Sequence, residues 1–410
     1  MLSIEGIIVN TLGQKRGRIE IDTASGLIVK VAEPSGSADI ILKDELIFPG
    51  FIDVHVHARE DTTHTHDYKE DFLTAGEAAI HGGVTAIAEM PNNPVPPVDD
   101  VSYAAKRALT EKSPVPVLLY ALIEEGTNPL SKKVPYKAVL GSGFANHRFF
   151  STYEDLDAGL QKYPGAYVSF HCEDPKILAE YAHHTEHEDQ RPASSEVSAV
   201  DVVLPLIEKY KLHGKLCHCS TISGVEKAVA AKSHGIDVTI EVTPHHLYFD
   251  VSMLTPETKG MLQVNPPIRQ NKENRLALIK ALREGDIDYL ATDHAPHTLE
   301  EKKKGISGMP HLDTYGLFAT WLMKEHDFSP QDIARVCAEN PGTFLSEFLP
   351  ERYGKIEKGY VGSLTILDTN KPTTVRAEDL KTKCRWSPFE GVEFPGSVVM
   401  TIIKGKKYAQ

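Results

Sequence analysis

Through the middle of the chain, short apolar runs alternate with amphipathic stretches. The runs "GFIDVHVH", "VTAIAEM", "VPVLLYALI", "YKAVL", "AYVSFHC", "KLCHC", "DVTIEV" and "DYLATDH" have the length and β-branched content of buried strands. Between most of them apolar residues recur at helical spacing, over 72–82, 99–112, 174–184, 197–211, 221–234 and 271–284. The third unit departs from this rhythm, because "EEGTNPLSKKV" is too polar and too interrupted to read as a helix. The charge run "EEKKKG" at 300–305 reads as a solvated loop. Eight strand–helix alternations predict an α/β chain folded as a (β/α)8 TIM-type barrel.

The two ends have another texture. "SIEGIIVN", "GRIEID" and "GLIVKVA" near the start, and "GSLTILD" and "SVVMTIIKGKKYAQ" near the end, read as short strands joined by Gly, Ser and Asp turns. The expectation is a small β-sandwich domain built from residues 1–47 and 355–410, flanking a barrel domain over 48–354.

A barrel carries its chemistry at the C-terminal ends of its strands. In "HVHARE" the period-2 alternation of a strand turns His55, His57 and Arg59 to one face. Asn92 follows the second strand, Lys137 lies in the fourth, and His171 and His218 end the fifth and sixth. Asp293 ends the eighth, with His297 just beyond. Four imidazoles and a carboxylate gathered at one mouth are costly to bury without a cation, and that donor set suits zinc or a similar first-row metal.

Two ions would need a bridging anion. A neutral lysine amine reacts with carbon dioxide to give an anionic carbamate, and burial near cations favours the neutral amine. Lys137 is therefore one candidate bridge, with a plain surface-loop lysine as the alternative, and Asp155 and Asp157 in "TYEDLDAG" as rivals on a helical stretch. Cys217 and Cys219 flank His218; alternation sends them to the opposite face, into core packing, and Cys172 follows His171. His245 and His246, in "VTPHHL", end the seventh strand and read as supporting or structural groups.

The net charge of −13 argues against a nucleic-acid or anionic-membrane binder, so an anionic small-molecule substrate would need a local cation such as Arg59. "VPVLLYALI" is too short to span a bilayer, and the first residues lack a basic leader and apolar core. Five cysteines do not make a disulfide scaffold, and the expectation is a reduced cytoplasmic protein.

Taken together, "FPGFIDVHVHARE", "KEDF", "GGVTAIAEMPNNP", "VTPHHL", "VNPPIR", "ATDHAPHTLEEK" and "WSPFEG" resemble the dihydroorotases of the amidohydrolase superfamily over nearly the whole chain. The resemblance implies reversible hydrolysis of the cyclic amide of dihydroorotate to N-carbamoyl-aspartate, a step of de novo pyrimidine synthesis. It implies that His55, His57 and Asp293 hold one zinc and His171 and His218 the other. Lys137 would be the carboxylated bridge of one branch; another branch uses an aspartate. Arg59, Asn92, Asn265 and His297 would bind substrate, and Asp293 would move the proton from water to the leaving nitrogen.

Two departures stand out. "EDTTHTHDY" is about three residues longer than the family pattern and adds His64 and His66, which read as a solvated loop in preference to a third metal site. "GMPHLDT" places His311 and Asp313 where the family has glycine and glutamate, in a loop expected near the substrate. The neighbouring alternatives are allantoinase and hydantoinase/dihydropyrimidinase, which share the metal frame but whose neutral rings give no reason for Arg59. A non-catalytic dihydroorotase-like subunit is the third, against which the complete ligand set argues. Homo-oligomerisation and association with aspartate transcarbamoylase stay open.

Overall fold

The computed structural model describes residues 1–141 and 149–409. The expected barrel is present. Its strands are Phe51–Val56, Val84–Glu89, a third in two pieces, Tyr136–Leu140, Tyr167–Cys172, His213–Leu216, Val238–Val242 and Tyr289–Leu290. Every neighbouring pair is parallel. A parallel bridge from Val56 to His294, with the His57 amide donating to the His294 carbonyl at 2.7 Å, brings the eighth strand against the first.

The strands read as unbroken apolar runs because both their faces are covered. Inward residues such as Ile52, Val54, Ala86, Ala88, Leu118, Tyr120 and Ala291 form one buried cluster inside the barrel. Outward residues pack against the helices in a second, larger one. The helices fall where the periodicity placed them: Phe72–His81, Asp100–Leu109, Pro175–Tyr181, Ala193–Lys209, Ile222–Ser233 and Lys272–Glu284. The first begins at a capping box in which Asp71 accepts from the Thr74 amide.

The third unit lacks its helix, as its sequence implied, and its strand is split. Val117–Leu119 pairs with the second strand and Ala121–Ile123 with the fourth. Between them the Tyr120 hydroxyl donates to the Val54 carbonyl at 3.2 Å.

Strands from both ends of the chain form one mixed seven-stranded sheet, ordered 406–409, 397–403, 364–368, 40–49, 2–10, 13–22, 27–32. A two-stranded ribbon, Thr373–Thr374 with Glu393–Phe394, accompanies it. The strand Ile40–Pro49 runs through Gly50 into the first barrel strand. A side chain at Gly50 would meet Thr85 Oγ1 at 2.2 Å, so glycine permits that junction. Thr365 fastens sheet to barrel, accepting from the Phe51 amide at 2.9 Å and donating to the Gly83 carbonyl at 2.6 Å. Among the described residues no helix is long and apolar enough to cross a membrane.

Candidate metal centre and substrate cavity

All ten residues singled out for metal or substrate line one cavity of about 500 Å³ at the C-terminal mouth of the barrel. They are His55, His57, Arg59, Asn92, Lys137, His171, His218, Asn265, Asp293 and His297. The first strand ends at Val56, so His55 is held by the strand and His57 by the turn that leaves it. Arg59, His218 and Asp293 all have left-handed backbones, with φ of 64°, 36° and 48°. Such conformations cost on the order of 1–3 kcal/mol each and persist where the surroundings hold them.

The donor atoms form two adjoining groups. His55 Nε2 and His57 Nε2 each lie 3.2 Å from Asp293 Oδ1. His171 Nδ1 lies 3.0 Å from His218 Nε2. The His55 and His218 rings are 5.3 Å apart, and His55, His218 and Asp293 offer ligand atoms within 4.8 Å of one another. These separations approach the edge of a tetrahedron with zinc–nitrogen bonds of roughly 2.0–2.1 Å, which is about 3.3 Å.

Two buried carboxylates, absent from the sequence reading, set which nitrogens face inward. Glu241 lies on the seventh strand and is fully buried. It takes a hydrogen bond from His55 Nδ1 and another from the His218 amide at 2.9 Å. Glu173 accepts from His171 Nε2 at 2.8 Å. Each carboxylate keeps the proton on the outer nitrogen and turns the lone pair of the other toward the centre. Cations back both: Lys215 Nζ is 2.7 Å from Glu241, and Arg191 Nε is 3.0 Å from Glu173. Either glutamate reads in sequence as an ordinary strand or turn residue. The only signal was a charged residue inside an apolar run.

Burial pulls the pKa of His55, His57 and His218 well down, which leaves neutral imidazoles, the form that ligates metals. Burial pushes Asp293 up to about 7. Lone pairs of neutral imidazoles and a carboxylate oxygen thus converge on one point, and the donor set fits divalent zinc.

Lys137 is buried, 2% exposed, on the fourth strand, and its Nζ donates to Cys217 Sγ at 2.8 Å. That contact corrects the expected placement of Cys217. Alternation carries Cys217 inward after Lys215, against Lys137, and it is the left-handed His218, past the strand end at Leu216, that breaks the pattern by facing the cavity as well. Cys219 packs in the outer core. Asp155 and Asp157 sit on the helix Tyr153–Leu160, away from the cavity, with Asp157 held by Lys209 at 2.7 Å.

On the cavity's outer side, Arg59 Nη2 donates to His297 Nε2 at 3.0 Å and Nε to the Pro296 carbonyl at 3.2 Å. Glu60, Glu70 and Asp71, its sequence neighbours, are engaged elsewhere: Glu60 with Lys112, Glu70 with Thr74, and Asp71 with Lys383. Among the described residues Arg59 makes no ion pair. Asn92 Oδ1 is buried without a hydrogen-bond partner among the described residues. Asn265 Oδ1 accepts from Ser307 at 3.2 Å.

His66 lines the cavity, whereas His64 is exposed and pairs with Asp67 at 2.7 Å. His245 and His246 lie behind the site: His246 bonds the Pro266 carbonyl at 3.1 Å, and His245 Nδ1 meets His311 Nε2 at 3.0 Å. His311 and Asp313 do not line the cavity, contrary to expectation. Asp313 instead accepts from His81 and from the Lys381 and Thr382 amides, which pins the C-terminal segment. The charge run at 300–305 is not wholly solvated either. Glu301 pairs with Lys69 at 2.8 Å, and Lys302 is buried among carbonyls that replace its water.

Residues 46–407 match the amidohydrolase family. A dihydroorotase of Pyrococcus furiosus is 31% identical over 95% of this chain and 88% of its own length. One from Listeria innocua is 33% identical over 93% and 91%. In structure, an L-hydantoinase (dihydropyrimidinase) from Arthrobacter aurescens matches with a TM-score of 0.89 at 22% identity, covering 100% of this chain and 96% of its own.

Proposed function

Because the chain belongs to the amidohydrolase family, we propose that it is a zinc-dependent cyclic amidohydrolase acting on an anionic ring, dihydroorotate, and forming N-carbamoyl-aspartate reversibly. The observation that carries this reading is Arg59: a guanidinium in the cavity, beside His297, with no carboxylate of the described protein paired to it. A ring carboxylate supplies the missing partner, in a bidentate bond that a neutral ring cannot make. The curated relatives support the same choice.

His55, His57 and Asp293 would hold one zinc ion, His171 and His218 a second, and Lys137, as its carbamate, would bridge them. Bound zinc supplies Lewis acidity to the amide carbonyl and acidifies water. The residues do the rest. Arg59, Asn92 and His297 orient the ring through its carboxylate, and the buried Asn92 carbonyl gains a ring N–H as partner. Asp293 accepts the proton of the attacking water and delivers it to the departing ring nitrogen, base then acid.

The second reading is hydrolysis of an uncharged cyclic ureide, as the hydantoinases of this fold suggest; it shares the metal centre and leaves Arg59 without a role. Purified protein, with zinc counted in the same sample, is assayed on dihydroorotate, hydantoin, dihydrouracil and allantoin. The proposal expects dihydroorotate to be preferred by at least about 10²-fold in kcat/KM. Preference for a neutral ring would establish the second reading.

A further inference from the structure

The cavity's outer wall is made of two loop segments, Gln263 to Asn265 and Gly305 to Gly308. They are stitched together. Gln263 Nε2 donates to the Gly305 carbonyl at 2.7 Å, the Gly308 amide to the Gln263 carbonyl at 2.9 Å, and Ser307 to Asn265 at 3.2 Å. At the centre of the seam is Lys302, 1% exposed. Its ammonium donates to three carbonyls, Gln263 at 2.9 Å, Ile306 at 2.8 Å and Gly308 at 2.9 Å.

This is an unusual use of a lysine. Among the described residues Lys302 has no carboxylate partner; the adjacent Glu301 is taken by Lys69 and Tyr68. Burial and the nearby Arg59 pull its pKa down to about 7. Three N–H bonds and three carbonyls match one for one, a tetrahedral demand that a planar guanidinium cannot meet. Two of the carbonyls belong to the 305–308 segment and the third to the facing one, so the ammonium spans the seam. Lys303, Lys304, Gly305 and Ile306 are exposed, and their amides bond back to the helical turn 299–302 that carries Lys302.

We propose that Lys302 is the positioning residue of a lid formed by residues 303–308, its ammonium fastening the lid to the Gln263–Asn265 segment and so setting Asn265 and Ser307 against bound substrate. The kinetic part rests on the cyclic-amide reading above; the closure itself does not. The seam borders the cavity, so loosening it would weaken capture more than chemistry.

The test uses Lys302→Met and Lys302→Arg, each read in two ways. Trypsin cleavage after Lys303 and Lys304 needs no substrate and reports the seam: both variants should be cut at least about tenfold faster than wild type, because cleavage follows the population of the open form. In turnover of dihydroorotate, KM should rise about tenfold or more with kcat within about threefold, the signature of lost binding without lost chemistry. Cutting and KM at wild-type levels would overturn the proposal. So would parallel losses of kcat, zinc and melting temperature, which mark a merely structural lysine. Should Lys302→Met fail to fold, Gln263→Ala, which deletes the side-chain stitch to Gly305, is read by the same criteria. If wild type does not turn over dihydroorotate, the cyclic-amide reading falls while the trypsin measurement still decides the lid.

Discussion

Replacing Glu241 by Leu removes the carboxylate and strands His55, Lys215 and the His218 amide. Lys215 would keep a buried ammonium, 3% exposed, with only the Val54 carbonyl at 3.2 Å. Breaking a buried pair in this way costs about 3–5 kcal/mol. For a chain of 410 residues the unfolding entropy is roughly 0.9 kcal/mol per kelvin, so the melting temperature should drop by about 3–6 °C. His55 would lose the acceptor that keeps its proton on Nδ1, and such orienting bonds are worth roughly 10–100-fold in metal affinity. A double variant separates the two effects. Adding Lys215→Met removes the stranded charge and sets an apolar chain against Tyr120 and Phe344, whose ring centres lie 5.3 and 5.7 Å from the present ammonium. Thermal unfolding by circular dichroism and competition for zinc against a chelator of known affinity give the two readouts. Stability should recover in the double variant and zinc affinity should not. If Glu241→Leu melts and binds zinc as wild type does, or if the second substitution restores both, Glu241 does not orient His55.

Two further substitutions test the cavity and the frame. Arg59→Gln should lower kcat/KM for dihydroorotate by about 10–150-fold, the worth of one charge-assisted contact of roughly 1.5–3 kcal/mol, while leaving hydrolysis of neutral rings nearly unchanged; equal losses on both would deny Arg59 a part in carboxylate recognition. Gly82→Ala would place a methyl 1.8 Å from the Leu312 carbonyl oxygen, where the Gly316 amide also bonds the Gly82 carbonyl at 2.8 Å. Backbone must move to make room, so urea unfolding should show a loss of about 3 kcal/mol or more, and wild-type stability would mean that the two segments part readily.

The barrel was readable because a parallel strand buried on both faces leaves an apolar run, and because its reactive residues stop where those runs stop. His55, His171 and Asp293 could be placed at one mouth on that ground alone. Strand alternation, by contrast, is a rule for regular backbone. It failed at His218, whose left-handed backbone turns it to the cavity although Cys217 before it already points inward. The glutamates behind the centre were hidden for another reason: Glu173 and Glu241 act through partners distant in the chain, and no local spacing announces a bond from His55 to Glu241. The run at 300–305 misled in the same way. Polar residues on a loop suggest water, but three carbonyls converging on Lys302 are tertiary information.

The chain's last tenth reaches back to the mouth of the barrel. Trp386 Nε1 donates to the His297 carbonyl at 2.7 Å, and Thr382 bonds Glu70, which in turn holds His294 at 3.3 Å. A polypeptide lacking these residues has every histidine of the centre yet no finished rim, so the site depends on contacts closed across 312 residues of chain. The same long-range closure, with strand 364–368 paired to 40–49, makes assembly slow relative to a fold built from local contacts.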